Sequence, residues 1–227
     1  MGGGGSGRAC AAQTSVAGAC NGPGGFFQSF PAMAAPAEAP PETPPCTRLN
    51  APQQQQQPDG YEIRQYEPAK WVSIPVESMG WDDAIQTGFT KLFEYIQGKN
   101  EKEAKIKMTA PVTSYVEPGE GPFSQPTITV SLYIPREQQS DPPKPVESNV
   151  FIEDRPGMTV FVRSFDGVSS AVKNQEELLT LANTLRQDGK VFDEKVFYTA
   201  GYDSPSKLLN RLNEVWLVKK NGSPQSQ

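Results

Sequence analysis

An internal repeat constrains this chain more than any other feature of its sequence. The stretch "YEIRQYEPAKWVSIPV", residues 61–76, is matched by "VFIEDRPGMTVFVRSF", residues 150–165, so that Ile63 and Ile152 occupy matching places 89 residues apart. Each stretch alternates apolar and polar residues, which predicts a strand. A helical pattern and two more strand patterns follow in both copies. The duplicated strand–helix–strand–strand unit predicts an α+β domain, a pseudo-symmetric sheet or barrel with both helices packed outside.

One helix is predicted in each copy. In "WDDAIQTGFTKLFEYIQGKN", residues 81–100, apolar residues recur at helical spacing, and Gly98 suits the C-terminal cap. The second helix lies in "SSAVKNQEELLTLANTLRQDG", residues 169–189, where Gly189 suits the cap. Inward-facing positions are predicted for Trp81, Ile85, Phe89, Leu92 and Ile96 in the first helix, and for Leu178, Leu181, Ala182 and Leu185 in the second.

Two strand patterns follow each helix. They are "AKIKMTAPV" (104–112) and "TITVSLYIP" (127–135) in the first copy, and "KVFDEKVFYTAGY" (190–202) and "NEVWLVKK" (213–220) in the second. The buried side of the first of these strands is predicted to carry Ile106, Met108, Ala110 and Val112. Because the two copies fold together, we expect a groove between them, against the helices. The alternative is that the groove is filled by its own side chains.

The composition of residues 1–59 cannot support a core. This segment is rich in Gly, Ala, Pro and Gln, so we predict a disordered arm, a domain at 60–220 and a short disordered tail at 221–227. The opening "MGGGGS" fits the pattern for myristoylation of Gly2, and Cys10 would carry a second acyl chain; the alternative is a chance match. Without an apolar signal segment or a run of transmembrane length, we expect a cytoplasmic location.

The residue inventory excludes several kinds of site. The chain has no histidine, three cysteines at or before residue 46, and a net charge of -5. A Ser–His or Cys–His nucleophile is excluded, and we predict neither a disulfide framework nor a cysteine-based zinc site. The acidic balance, without a Lys/Arg stripe, disfavours nucleic acid as a partner. We find no phosphate-binding glycine loop and no paired acid and base, so we predict that the protein is not an enzyme.

Several motifs of the repeat resemble those of the SOUL haem-binding protein family. They are "YEIRQYEPAKWVS", "KIKMTAPVTSYVEPG", "SLYIP" with the following "DPPKP", "FVRSFDG", "FYTAGYDSP" and "NEVWLVKK", and they span residues 60–220. The resemblance implies a distorted eight-stranded antiparallel barrel flanked by two helices, which agrees with the duplicated unit. It also implies haem or a related tetrapyrrole as the ligand, and a cytosolic setting with links to mitochondria.

The resemblance implies two parts of a haem site. In family members that use an axial imidazole, the ligand lies in the first strand, where this chain has Gln65. Since an amide is a poor ligand for haem iron, we predict weak binding without histidine, or an ordinary strand role for Gln65. An apolar surface beside the first helix, with basic residues for the propionates, would use Phe89, Lys91, Phe93 and Lys207. The competing interpretation places Phe89 in the core and both lysines in solvent.

The resemblance also implies an alternative function, as an interaction factor that promotes mitochondrial permeability transition and necrotic cell death. The implied partners are Bcl-family proteins, and the matching segment is residues 181–195. Leu181 and Leu185 would be the apolar anchors of a groove-binding helix, and Asp188 its acidic residue. The same leucines belong to the predicted inward face, so binding would require the helix to detach from the domain.

Overall fold

The computed structural model describes residues 39–49, 60–77, 80–121, 124–203 and 210–221. These residues contain nine strands and two α-helices. In chain order they are β1 (Cys46–Arg48), β2 (Glu62–Tyr66), β3 (Ala69–Glu77), α1 (Trp81–Ile96), β4 (Val112–Glu117), β5 (Thr127–Tyr133), β6 (Phe151–Arg155), β7 (Met158–Asp166), α2 (Ala171–Gln187), β8 (Phe197–Gly201) and β9 (Leu212–Val218).

The strands form a single antiparallel sheet that curls into a half-barrel, in the order β1-β2-β7-β9-β8-β4-β5-β3-β6. The order β2-β7-β9-β8 on one side of the centre corresponds to β6-β3-β5-β4 on the other. The two copies are therefore related by a pseudo-two-fold axis where β4 pairs with β8, and Ser114 lies opposite Thr199 at the middle of that pairing. The predicted α+β class, the duplication and the two flanking helices are confirmed.

Each copy contains one more strand than the repeat pattern suggested. The stretch at 61–76 is divided into β2 and β3 around Pro68, and the stretch at 150–165 is divided into β6 and β7 around Pro156. Proline has no N–H to donate to a ladder, so a strand is interrupted there. Division of both stretches gives eight strands, and β1 adds the ninth.

The predicted strand at 104–112 is wrong over most of its length. β4 begins only at Val112, because Pro111 cannot donate to the ladder. The preceding residues instead contact the segment before β1, where the backbone N–H of Ala110 donates to the carbonyl of Glu42 at 3.0 Å. Ile106 is buried as predicted, but Met108 is 38% exposed.

Residues 39–49 lie within the segment predicted to be a disordered arm. Here β1 pairs with β2, and Thr47 is opposite Gln65. Cys46 in β1 is disulfide-bonded, a bond that the cysteine positions did not predict. The domain boundary at residue 59 and acylation at Gly2 and Cys10 concern residues outside the described part of the chain, and both stay predictions.

Both faces of the sheet bury side chains. α1 packs on β3 and β5, and α2 packs on β7 and β9, so the face of the sheet that carries the helices holds two apolar clusters. The opposite face holds a third, more aromatic cluster in which Tyr66 stacks on Trp216 with ring centroids 4.9 Å apart. Because both faces are covered, buried and exposed residues do not alternate along β3. Trp71 and Ser73 are buried on one face, and Val72 and Ile74 are buried on the other.

A buried ion pair joins β2 to β9 on the face opposite the helices. The guanidinium of Arg64 donates to both carboxylate oxygens of Glu214, at 3.0 and 2.7 Å. Burial is the largest single effect and tends to lower the pKa of Arg64, but the Glu214 carboxylate together with Tyr66 and Tyr202 raises that pKa overall. Tyr202 and Trp216 also donate to Glu214, both to its Oε2 atom, at 3.0 and 2.8 Å. With these additional hydrogen bonds the pair is satisfied, which is the condition under which a buried ion pair is tolerated.

The absence of a side chain at Gly88 allows α1 to lie close to β5. A Cβ atom at this position would be 2.6 Å from Cγ2 of Val130, which is far inside van der Waals contact. Val130 is itself fully buried between the helix and the sheet, so neither group has room to move.

We expect Gly88→Ala to destabilise the protein. Alanine gains about 0.5–1 kcal/mol of helix propensity over glycine, but overpacking against Val130 costs about 1–3 kcal/mol. Urea unfolding should therefore show a net loss of stability, while Thr87→Ala on the exposed side of α1 should change it by less than about 0.5 kcal/mol. A stabilised Gly88→Ala variant would contradict the close approach of α1 to β5.

Candidate functional site

Two phenylalanines form an aromatic pair on the surface of α1. Phe89 and Phe93 lie one turn apart, with ring centroids separated by 5.9 Å and ring planes inclined by 30°. Phe89 is half-buried, and Phe93 is 43% exposed. An aromatic side chain this exposed offers a flat apolar surface to a ligand.

The aromatic pair ends a row of apolar residues along α1. Trp81, Ile85, Phe89 and Phe93 follow one another at intervals of four residues, and side chains at this spacing are neighbours on a helix surface. Trp81 and Ile85 pack against the core cluster beneath α1. The row therefore runs from the packed N-terminal end of the helix to the exposed ring of Phe93.

Lys91 does not lie beside Phe89 and Phe93. Residues two apart on a helix do not face each other, so Lys91 lies on a different side of α1 from Phe93. Its ammonium is 3.2 Å from a carboxylate oxygen of Glu147 and 3.8 Å from one of Glu94. Lys99 contacts the same carboxylate of Glu147. A propionate at Lys91 would therefore have to compete with two carboxylates.

Gln65 lies apart from the α1 surface. It is an exposed residue of β2, opposite Thr47 of β1 on one side and Thr159 of β7 on the other. Four strands separate β2 from β5, on which α1 packs. The structure therefore brings together Phe89 and Phe93 but does not add Gln65 to them. Lys207 lies outside the described residues.

The residues predicted to bind a protein partner are engaged inside the domain. Leu181 and Leu185 are fully buried, at 0% exposure, in the cluster between α2 and the sheet. Asp188, which ends α2, accepts a hydrogen bond of 2.8 Å from the hydroxyl of Tyr61. A partner could reach the leucines only if α2 left the sheet and this hydrogen bond broke.

A cavity of about 270 Å³ opens where the first turns of both helices meet the sheet. Its floor includes Val116 and Phe197, which are opposite each other in β4 and β8, so it lies beside the pseudo-two-fold axis. The indole N–H of Trp81, in its wall, donates to the hydroxyl of Ser114 at 3.0 Å. The repeat predicted a groove between the copies, but no local pattern indicated which residues would line it. They are Gly80, Trp81, Val116, Pro126, Ile128, Ala171, Asn174, Gln175, Leu178 and Phe197.

The described residues contain neither a metal-binding cluster nor a membrane-spanning helix. They contain no group of three or more Cys, Asp or Glu side chains arranged to hold a metal ion. Neither helix in the described part of the chain combines the length and apolar character needed to cross a membrane.

Comparison with known proteins decides the family. The profile of the SOUL heme-binding protein family matches residues 41–218, which is most of the chain. The chain belongs to this family. Human Heme-binding protein 2 is 79% identical over 165 residues, which cover 73% of this chain and 80% of that protein. Heme-binding protein 1 of Xenopus laevis is 34% identical over 161 residues, covering 71% of this chain and 84% of that protein.

A solved structure shares the fold of this SOUL domain at low sequence identity. The crystal structure of the EcmrR C-terminal domain superposes with a TM-score of 0.51 and 12% identity, covering 71% of this chain and 98% of that one. At this identity the likeness shows the fold alone.

We expect Tyr61→Phe to weaken the attachment of α2 in a pH-dependent way. Burial, together with the hydrogen bond to Asp188, raises the pKa of Tyr61 to about 12, so the folded state keeps the phenol neutral where the unfolded chain ionises near pH 10. The stabilisation is present below pH 10 and is lost as the pH rises to about 12. Below pH 10 the variant should lose about 1 kcal/mol in urea unfolding.

The pH dependence supplies the control for this variant. Because Phe does not ionise, the difference in stability between the natural protein and Tyr61→Phe should shrink between pH 10 and 12. Asp188→Asn, which keeps an oxygen acceptor for the phenol, should lose less stability than Tyr61→Phe at pH 8. A difference that stays constant from pH 8 to 12 would rule out this role for Tyr61.

Proposed function

We propose that this SOUL-family protein binds haem or another tetrapyrrole weakly, on the apolar row of α1 and without a histidine ligand. The observation that carries the proposal is the aromatic pair of half-buried Phe89 and exposed Phe93, in a chain whose relatives bear the name heme-binding protein. A flat macrocycle can stack on such rings and remove apolar surface from water.

The chain offers few strong donors to haem iron. Histidine is absent, and the phenols nearest to Gln65 in sequence are held neutral: burial raises the pKa of both Tyr61 and Tyr66. A neutral, buried phenol is a poor substitute for the tyrosinate ligand found in some haem proteins. Binding would therefore depend on apolar contact with the macrocycle rather than on iron coordination.

The surroundings of α1 favour weak binding. The aromatic surface is open rather than enclosed, and Lys91 is already paired with Glu147. Surface charges paired in this way contribute little to affinity, so the propionates gain little there. Such a site suits a protein that carries or buffers a tetrapyrrole, not an enzyme, and we place that role in the cytoplasm with an association with mitochondria.

The partner-binding alternative receives less support from the geometry. Bcl-family proteins would have to engage Leu181 and Leu185, which are buried against the sheet, and Asp188, which is bonded to Tyr61. Exposing two fully buried leucines costs about 3–6 kcal/mol before any contact with the partner forms. We therefore favour tetrapyrrole binding.

Titration with hemin tests the proposal. The untagged full-length chain should give a saturable one-to-one shift of the Soret band. Phe93→Glu removes an aromatic contact and adds a charge that repels propionates, so it should weaken binding about tenfold or more. Leu179→Glu makes the same change at an exposed apolar position of α2 and should leave binding within about twofold. Equal losses in both variants, or no saturable shift, would reject the α1 surface.

A Gln65→His variant tests whether the two predicted parts of the haem site are separate. The untagged natural chain contains no imidazole, so any imidazole-ligated spectrum in the variant arises from position 65. Because four strands lie between β2, which carries Gln65, and β5 beneath α1, we expect that spectrum to persist in the double variant Gln65→His/Phe93→Glu. Its disappearance from the double variant would mean that both positions contact one haem.

A further inference from the structure

Two exposed lysines follow the C-terminal end of α1. Neither Lys105 nor Lys107 forms an ion pair within the part of the chain that the structure describes. By contrast, Lys91 and Lys99 in the same region both contact Glu147. Lys105 and Lys107 can therefore accept an anionic ligand without displacing a carboxylate of the protein.

The segment that carries these lysines is fixed to the end of α1. Between them, Ile106 is buried in the apolar cluster beneath the helix, with 5% of its surface exposed. Its backbone N–H donates to the carbonyl of Ile96, the last residue of α1, at 2.8 Å. Phe93 lies three residues before Ile96, which is about 4.5 Å along the helix axis. The two lysines are therefore held close to the end of the apolar row.

Phe93 faces the β4 side of α1. The helix lies over β3 and β5, with β6 beyond β3 and β4 beyond β5. Lys91 contacts Glu147, which precedes β6, so its flank of the helix faces β6. Residues two apart are separated by about 200° around a helix axis, so Phe93 lies on the opposite flank. Trp81, at the start of the apolar row, agrees with this direction because its indole donates to Ser114 of β4.

The connection that contains both lysines leads to the same side. It runs from the end of α1 to the start of β4 at Val112. Since β4 lies on the flank of α1 that carries Phe93, this connection brings Lys105 and Lys107 round the helix end towards that flank. An exposed aromatic ring and two available cations thus occur together, which suits a flat apolar molecule with anionic groups on one edge.

We propose that Lys105 and Lys107 bind the propionates of a tetrapyrrole whose macrocycle stacks on Phe93. This inference rests on the tetrapyrrole binding proposed above and adds the residues that recognise the charged edge of the ligand. Each ammonium donates to one propionate carboxylate, with no competition of the kind that Glu147 provides at Lys91. The site therefore selects tetrapyrroles with free carboxylates over neutral ones.

Hemin titration of lysine variants tests this inference. Lys105→Gln/Lys107→Gln should weaken hemin binding about five- to tenfold at low ionic strength, because exposed charge pairs contribute a few-fold each. The loss should shrink as salt is added. Lys190→Gln/Lys195→Gln removes the same charge from exposed positions beyond the end of α2 and should change binding by less than about twofold.

The dimethyl ester of hemin supplies a second arm. Esterification removes the charges that Lys105 and Lys107 contact, so the natural chain and Lys105→Gln/Lys107→Gln should bind the ester with affinities within about twofold of each other. A loss of affinity for hemin that is absent for the ester assigns the effect to the propionates, and not to folding or to stacking on Phe93.

The outcomes separate this inference from the proposal on which it rests. Saturable hemin binding that is equal in the natural chain and in Lys105→Gln/Lys107→Gln would overturn the lysine contacts and leave tetrapyrrole binding intact. Equal losses in the two double variants would assign the effect to net charge, and a loss that persists with the ester would assign it to another cause; either result overturns the inference. Absence of saturable hemin binding to the natural chain would reject both.

Discussion

The pairing of β4 with β8 is the interaction on which the rest of this structure depends. It joins the two halves of the sheet, each of which contains strands from both copies of the repeat, and Ser114 and Thr199 at its centre share a hydroxyl hydrogen bond. Without it each half of the sheet would present an unpaired edge strand, β8 in one half and β4 in the other, and such edges promote aggregation. The indole of Trp81 is also bonded to Ser114, so the start of α1 is tied to the same point.

The positions of the cavity and of the aromatic pair on α1 follow from that junction. Since the first turns of α1 and α2 meet over β4 and β8, a cavity forms where neither copy alone could enclose one. Each helix then runs away from the axis, and the apolar row of α1 ends in the exposed ring of Phe93. By contrast, Leu181 and Leu185 of α2 are buried in the core. The two helices therefore occupy equivalent places in the duplicated fold while offering different surfaces to ligands.

Sequence patterns predicted the fold better than the sites. The helices were anticipated to within a few residues because periodicity and the glycines at 98 and 189, both with positive φ, act locally. The strand predicted at 104–112 does not form over most of its length, although four apolar residues have the spacing of a strand. Pro111 cannot donate a ladder hydrogen bond, and β4 begins only after it. Among the site residues, the neighbouring positions of Phe89 and Phe93 follow from helix geometry. That Lys91 is paired with Glu147, 56 residues away, does not, because no local pattern links them.

By itself the sequence determined that two copies of one unit make the domain, and that no imidazole is available to bind iron. Those facts depend on residue identity and short-range periodicity. Only the tertiary structure decided which strands would be neighbours, that Gln65 would lie apart from the α1 surface, and that Lys91 would be paired while Lys105 and Lys107 have no ionic partner among the described residues. Such features arise from contacts between segments far apart in the chain, where packing decides which polar groups find partners.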